Sequence, residues 1–586
     1  MKRILLFSCA LLFSAIALAQ TTYKNVYSAK QDWSRIYDYF KMDDNVSPFN
    51  GLTLDDSGSI YITGSSVKDT LGNSAAFYNK YGPNGNMIWN NANDTDITQG
   101  NAIIWDSIQQ RLYGCGTRVT SFGGVGLSGE FILNMFRSNE APLGNFIWPD
   151  PNATKRLPYY AGANNLCEDK KGKIYVTGYI GGYLNYSQLN HNLLTTFKID
   201  GSNTSNAVVW TSSYDSTNLL EEEGQYIALD PNNNVYVAGI RGDSVKNNIN
   251  LSLLCVKYDS SGNIKWQRKL QNIDTFYLTN STGLAVSNSG SAYMSGNLPD
   301  PGAYATDGVI LKYTNQGKLA WEKRFSSLML HTQDAGCNGL VIDKSGNILA
   351  AGYIETDSGE YATLVKLDSN GNVLWMDTLK DAASNGALVS DAIALTLDDT
   401  ENVYVTGTRG DNQTFEDVYT ARYNATGQKQ WYIRYNDSVL SYNSPMAIKL
   451  DKQGNVIVAG SHNGDTLTGE DILVLKYGQY MTKVKIVDTT SSIKGISPAT
   501  TINIFPNPFS DHLNGLLDLT EASSINLIFY DITGKELRAM AYPDLPAGQS
   551  NIEICMDNLA KGLYFYKCTI INQGGAIIQN GKIEKQ

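Results

Sequence analysis

Between residues 30 and 480 the apolar positions recur in short runs in which polar and apolar residues alternate, and Gly-, Asn- and Asp-containing turns separate the runs. Alternation with period two predicts strands, and the turn clusters predict tight antiparallel connections. One unit reads, in order, an alternating segment such as AIALTLDD, a turn, a VYVTG strand, a variable loop, an ARY or VKY strand, a turn such as DSNGN, and a strand holding a tryptophan. Four short strands make a meander that cannot bury both faces alone, so neighbouring copies must stack on it. Four strands repeated radially predict a β-propeller.

The beat of the repeat is carried by two markers. Trp33, Trp89, Trp148, Trp210, Trp266, Trp321, Trp375 and Trp431 follow one another at intervals of 56, 59, 62, 56, 55, 54 and 56 residues, and only Trp105 falls outside the series. Strings of the VYVTG type end at Gly64, Gly178, Gly239, Gly296, Gly352, Gly407 and Gly460, and the second copy, RLYGCG near Gly116, is degenerate. The segment around Trp33 has no strands of its own before it, whereas the last unit, residues 446 to 477, has three strands and no tryptophan. Together they complete one blade, which closes a ring and removes free sheet edges. The expectation is therefore an all-β chain with an eight-bladed propeller over residues 20–480, or seven blades if the second copy forms none. A periodic aromatic is a packing wedge between blades, which is the role expected of these eight tryptophans. The units resemble the bacterial SBBP type of propeller repeat, a likeness that speaks to fold and names no reaction.

After Tyr480 the repeat stops and a Thr/Ser-rich linker is expected over 481–500. New alternating segments follow: INIFPNPF at 502–509, INLIFYDITGKEL at 525–537, NIEICMDNL at 551–559 and KGLYFYKCTII at 561–571. They predict a small immunoglobulin-like β-sandwich over 501–586. Pro506, Asn507, Pro508, Phe509, Asp531, Ile532, Thr533, Gly534, Lys535, Leu559, Gly562, Tyr564 and the terminal Gly581-Lys582-Ile583 strand resemble the type A C-terminal sorting domain of the Bacteroidota type IX secretion system. The resemblance implies passage through the periplasm, recognition by the type IX machinery, and release or attachment at the cell surface. At the other end, Lys2 and Arg3 precede an apolar run that closes with Ala17-Leu18-Ala19, the pattern of a secretory signal peptide over residues 1–19. No later stretch is long and apolar enough to span a bilayer.

Composition narrows the partners. The 46 Lys and Arg against 57 Asp and Glu leave a net charge of -11, without the basic face that a nucleic-acid reader requires. Six cysteines remain after processing, scattered singly, and only Cys555 with Cys568 lie on neighbouring predicted strands as a pair to test for a disulfide.

The search for chemistry returns little. His191, His331, His462 and His512 are far apart, and no HExxH, GxSxG elbow or phosphate loop is present. No catalytic, cofactor or metal residue is assigned. The turns DDSGS (55–59), DSSGN (259–263), DKSGN (343–347), DSNGN (368–372) and DKQGN (451–455) offer one or two acidic oxygens each, fewer than a calcium loop. Calcium remains an alternative to simple turn capping there. Asp334 and Asp391 begin equivalent strands and are the candidates for a carboxylate pair. The Arg241-Gly242-Asp243 and Arg409-Gly410-Asp411 triplets occupy one repeat position and read as Gly-Asp turns. Asp-Thr/Ser-apolar triplets, at 106–108 and 377–379 among others, resemble Bacteroidota O-glycosylation acceptors. The leading function is a non-enzymatic secreted or surface module binding glycan or protein through its loops. The alternatives are a propeller enzyme, quinone-dependent or glycan-active, and a structural coat component; the D-x-x-G-x-x-x-W turns are reminiscent of quinone-dependent dehydrogenases, but a vicinal cysteine pair and a calcium cluster are both missing.

Overall fold

The computed structural model describes residues 22–585 except 39–42, 68–72, 93–96, 123–125, 140–141, 149–158, 183–190, 203–207, 216–218, 246–247, 271–278, 300–304, 329–331, 358, 380–388, 411–415, 436–440, 464–468, 487–500, 510–511, 520, 532–535, 557–558 and 573–574. The expected signal peptide, His331, Asp411 and Ile532 to Lys535 therefore lie outside the described residues. Residues 29–479 form one compact unit, and the chain from Tyr480 onward belongs to a second.

The larger unit is all strand apart from a single short 3₁₀ turn at Ser326–Leu328 among the described residues. Its strands assemble into seven four-stranded sheets and one five-stranded sheet. Counted along the chain from Asp44, a typical sheet pairs its strands in sequence order, as Val389–Leu397, Val403–Gly410, Asp417–Tyr423 and Lys429–Tyr435 do in the seventh. The first sheet has five because its opening strand is broken into Asp44–Val46 and Leu52–Leu54, both paired with Ile60–Val67. The closing sheet joins the two ends of the unit: Tyr442–Leu450, Val456–Asn463 and Asp471–Ile486 are completed on the outside by Thr22–Tyr37, which carries Trp33. The Asp471–Ile486 strand runs six residues into the segment expected to be linker.

The glycine that ends each VYVTG string is required by a close approach. A Cβ on Gly407 would lie 1.9 Å from the Asp391 carbonyl oxygen, and one on Gly239 would lie 1.9 Å from that of Glu223. Opposite it the first strand shifts register, between Ala392 and Ala394 in the seventh sheet, and the bulge bends the inner strand.

Each sheet buries its faces against its neighbours. Tyr236, Leu253, Cys255 and Trp266 of the fourth sheet share a core with Met294, Val309, Leu311 and Tyr313 of the fifth. Val46, Leu52, Ile60 and Ile62 of the first sheet share one with Ile457, Ala459, Ile472 and Val474 of the closing sheet. The sheets therefore stack in a closed, propeller-like circle.

A recurring polar joint fixes several of the stacks. The fourth-strand tryptophan lies over the glycine of the next sheet's turn between strands three and four, and its indole N–H donates to a carbonyl in that turn. At several joints the third-strand lysine donates to the same oxygen. Trp266 Nε1 and Lys257 Nζ reach Asn315 O at 2.9 and 3.3 Å, and Trp375 and Lys366 reach Ala425 O at 3.3 Å each. At the closure, Trp33 and Lys476 reach Pro83 O at 3.3 and 3.1 Å. In several sheets the cation is met by the aspartate of its own first turn: Lys366–Asp343 at 2.9 Å and Lys476–Asp451 at 3.1 Å, both pairs buried. Breaking such a pair by removing one partner leaves an uncompensated buried charge, at a cost of about 3–5 kcal/mol.

Trp148 departs from this scheme. It is 37% exposed and touches the Phe197 ring at 5.9 Å, while Tyr113 and Arg111 donate to Gly201 O in its place. Trp89 is buried against Tyr61 and Phe136, and the off-series Trp105 stacks on Tyr61 at 5.6 Å.

In the second unit, Thr501–Phe505, His512–Leu519 and Gly548–Cys555 form one sheet, and Glu536–Leu545, Ser523–Tyr530, Gly562–Asn572 and Gly575–Lys585 form the other. Ile504, Leu513, Leu517 and Ile554 of the first meet Leu527, Phe529, Ile570 and Ile583 of the second in one core. This corrects the cysteine pairing. Cys555 and Cys568 stand on different sheets, and Cys568 is a buried free thiol.

Gly427 tests the joint. Its φ of +83° is disfavoured for any side chain, and a Cβ would sit 2.5 Å from the Trp375 ring. Gly427→Ala is expected to lower stability by about 2–4 kcal/mol, combining backbone strain with overpacking. A urea midpoint equal to the parent protein's would show that ring and turn are not held in contact.

Candidate functional site

The two ends of the sheets are built differently. At one end lie the turns joining strands one to two and three to four; the first kind is always four or five residues long, as in 55–59, 169–172 and 451–455. Their aspartates are occupied. Asp343 Oδ1 accepts the N–H groups of Ser345 and Asn347 at 2.9 and 2.8 Å, and Oδ2 accepts from Asn347 Nδ2 and Lys366. Tyr61 and Tyr175 donate to Asp55 and Asp169 in the same manner at 2.9 and 3.1 Å. Such oxygens are committed to turn capping and to the joint, which argues against the calcium alternative at these turns.

At the other end the connections vary. Those between strands two and three run from two residues, 246–247 and 357–358, to eight, 183–190. Those between sheets run from four residues, 93–96, to ten, 149–158 and 379–388. The Arg241-Gly242-Asp243 triplet points toward this end but is strand, not turn: it pairs with Ser252, Leu251 and Asn250, and Arg241 donates to the Tyr214 hydroxyl at 2.8 Å.

The first strands surround the centre and are tied to one another by side-chain amides. Asn101 donates to Ala163 O at 2.8 Å, Asn164 to Gly224 O at 2.9 Å, and Asn338 to Ala392 O at 3.1 Å, each reaching the next sheet. Phe49, in the break of the first sheet's opening strand, meets Tyr226 of the fourth sheet edge-on at 5.9 Å. An aromatic contact thus crosses the enclosed space.

Toward the variable end, acids gather on the sixth and seventh sheets. Asp334 and Asp391 are on the first strands of these sheets but at different levels, opposite Glu355 and Thr408 respectively. Asp334 accepts from Thr306 N and Oγ1 at 2.8 and 2.7 Å. Asp391 accepts from Asn338 Nδ2 at 2.6 Å. Burial pushes Asp391 up to about 6, the Asn338 hydrogen bond opposing and Glu416 adding to the rise. Glu360, opposite Glu355 across its hairpin, is pushed up to about 8 by burial and then by Asp391, Glu355, Asp334 and Glu416. Neighbouring carboxyls of which one keeps its proton at neutral pH and one does not have the electrostatics of an acid–base set. Glu360 was not singled out in the sequence; its signal is the Glu355-Thr-Asp-Ser-Gly-Glu360 hairpin, with like charges paired across a strand.

A second carboxyl group is assembled only by the closure. Asp38, Asp44 and Asp471 each bring an oxygen within 4.8 Å of the others, a geometry open to a cation. Burial and Asp38 raise Asp471, and His462 lowers it. Residues 38 and 471 are too far apart in the chain for spacing to reveal this group. His462 is itself buried, its Nδ1 2.7 Å from Asn443 Oδ1.

In the second unit the Pro506-Asn507-Pro508-Phe509 segment holds the terminal strand. Asn507 Nδ2 donates to Lys582 O at 3.1 Å, Asn507 Oδ1 accepts from Glu584 N at 2.9 Å, and Phe509 N donates to Glu584 O at 2.9 Å. The buried Lys585 ammonium lies 5.9 Å from the Phe509 ring centre and donates to Met556 O at 3.1 Å. Tyr564 is buried and donates to Ala560 O at 2.5 Å, Leu559 packs on the core, and Gly562 starts the strand beside the terminal one. Asp531 is half-buried at the end of the Ser523–Tyr530 strand, ahead of Thr533, Gly534 and Lys535, which are outside the described residues.

Residues 503–580 match the family model of the secretion system C-terminal sorting domain. A WD repeat-containing protein of Acanthamoeba polyphaga mimivirus is 22% identical over 320 residues, a match spanning 46% of this chain and only 20% of that protein's length. Among solved structures, PorZ of Porphyromonas gingivalis, described as an essential surface component of the type IX secretion system, aligns over 91% of this chain and 81% of its own at 11% identity and a TM-score of 0.30. The WD40 domain of SCAP from fission yeast aligns over 77% of this chain and 98% of its own at 8% identity and a TM-score of 0.36. The sorting domain implies export by the type IX machinery to the cell surface or beyond. No helix among the described residues is long and apolar enough to cross a membrane.

Asn507→Ala should loosen the end of the terminal strand without unfolding the domain, since it removes two hydrogen bonds at about 1 kcal/mol each. Amide exchange of residues 582–585 in the whole chain would rise about tenfold; unchanged protection would show that the motif does not hold this end of the strand.

Proposed function

We propose that residues 20–480 are an eight-bladed β-propeller of SBBP-type repeats, closed by the Trp33 strand, acting outside the cell as a non-enzymatic binding or adhesion module for a glycan or a protein. In this reading residues 1–19 are a signal peptide, and residues 501–586 are an immunoglobulin-like sorting domain that brings the propeller to the type IX machinery. The observation that carries the reading is the contrast between the two ends. One end has turns of nearly constant length whose polar groups are consumed by the joints. The other has connections from two to ten residues long on the same rigid frame. A fixed scaffold presenting variable loops suits recognition, because the loops change without cost to the core.

A glycan-active enzyme is the second reading, and the acids around Glu360 and Asp391 favour it, since glycoside hydrolysis uses one protonated and one ionised carboxyl. The two separate in one experiment. Purified residues 20–480 would be screened on arrays of glycans and surface polymers, with calcium and with a chelator, and then incubated with each polymer bound. Saturable binding to one polymer class without turnover is the expected result. Turnover that Glu360→Gln abolishes would replace the binding module with an enzyme. Calcium-dependent binding would bring Asp38, Asp44 and Asp471 into the site as cation ligands.

A further inference from the structure

Two departures from the repeat pattern, an added acid and a missing base, fall at one joint. The residue before the first turn is apolar in most sheets, as at Leu54, Leu229, Ile342, Leu397 and Leu450, but in the third sheet it is Glu168. In the second sheet the departure is a missing base. Lys80 stands opposite Tyr61 in the first sheet and Lys257 opposite Tyr236 in the fourth, whereas Met135 takes that place opposite Tyr113 in the second. The first-turn aspartate of that sheet, Asp106, thus lacks the cation that meets Asp55, Asp343 and Asp451.

The geometry keeps both acids uncompensated. Asp106 is fully buried; Oδ1 accepts from Ile108 N and Gln109 N at 2.8 and 3.0 Å, and Oδ2 has no hydrogen-bond partner. Glu168 Oε2 is likewise buried and unpartnered. The polar and charged groups around them are engaged elsewhere. Tyr113 and Arg111, on the strand following Asp106, both donate to Gly201 O. On the third sheet, Asp169 is taken by its own turn and Tyr175, Lys173 is paired with Asp200 at 2.7 Å, Lys198 lies over the Tyr175 ring, and the Cys167 thiol is raised by burial and by both adjacent acids.

We infer that Asp106 and Glu168 form a pH-sensitive seam between the second and third sheets, tight while Glu168 carries a proton and weakened once both acids are ionised. A neutral Glu168 is the form an apolar slot accepts, and it spares Asp106 a like charge. Burial, then Asp106, then Asp169 push the Glu168 carboxyl up to about 7. In the unfolded chain the same group loses its proton near 4.5. Between these values the folded state binds more protons than the unfolded one, so the seam loses stability as pH rises through this window and levels off above it.

The test is amide exchange of residues 97–106 and 159–168 in the whole chain at pH 5 and pH 8, corrected for intrinsic rates. Protection in the parent protein should fall by roughly tenfold or more across this range. The step should vanish in Glu168→Gln, which stays neutral, and shrink in Met135→Lys, which restores the missing cation. An equal step in Glu168→Gln would overturn the seam. So would recovery of parent protection at pH 8 by added calcium or magnesium, because the orphaned oxygens would then be cation ligands rather than a proton site. Should Met135→Lys fail to fold, Glu168→Leu serves in its place; higher protection than the parent at pH 8 supports the seam, and lower protection opposes it.

Discussion

A carbonyl oxygen in a hairpin turn holds this molecule together. At several of the stacks one sheet offers such an oxygen to its predecessor, which meets it with an indole N–H and an ammonium at once, as Trp266 and Lys257 meet Asn315. The tryptophan seals the apolar seam from solvent while the lysine crosses it. Where the first turn has an aspartate, it compensates the buried ammonium, and it is held in turn by the N–H groups of a turn that a glycine or asparagine lets close. The spacing of residues in each repeat follows from this chain of requirements. The same joint at Pro83, served by Trp33 and Lys476, lets the first and last segments of a 451-residue unit behave as one sheet, with no free edge at the seam.

Where the joint fails, other irregularities collect. The second sheet lacks the lysine, its tryptophan stands exposed, its tyrosine and arginine reach across to the next turn, and the third sheet answers with an acid at an apolar position. These are local exchanges of one partner for another rather than loss of structure: Leu112, Tyr113, Cys115 and Leu133 remain fully buried. A closed stack tolerates one substituted joint because its neighbours hold the sheet from both sides.

Much of the architecture was legible because it is written in periodicity. Alternating strands, the tryptophan interval and the VYVTG glycine are local signals, and the unpaired ends of the repeat imply that the Trp33 segment pairs with the last unit. The lysine was visible only as part of a strand marker, since its meaning depends on an aspartate some 25 residues earlier and a carbonyl some 58 residues later. The acids fared worse. Asp334 and Asp391 share a strand type, but a bulge sets their heights, and bulges leave no reliable trace in a single sequence. Glu360 reaches the same region from a third strand, and Asp38 with Asp471 meet only because the circle closes.

The distribution of polar groups then bears on function. At the constant end most carboxylates are spent on an N–H, a phenol or an ammonium, Asp106 and Glu168 at the second joint apart. At the variable end carboxyls lie close enough to raise one another's proton affinity, an arrangement that folding alone does not require and that costs stability. Excess like charge held on a rigid frame is what a cationic or hydroxyl-rich partner would relieve. The constant end supplies the rigidity, and the tension between acids is held at the other end.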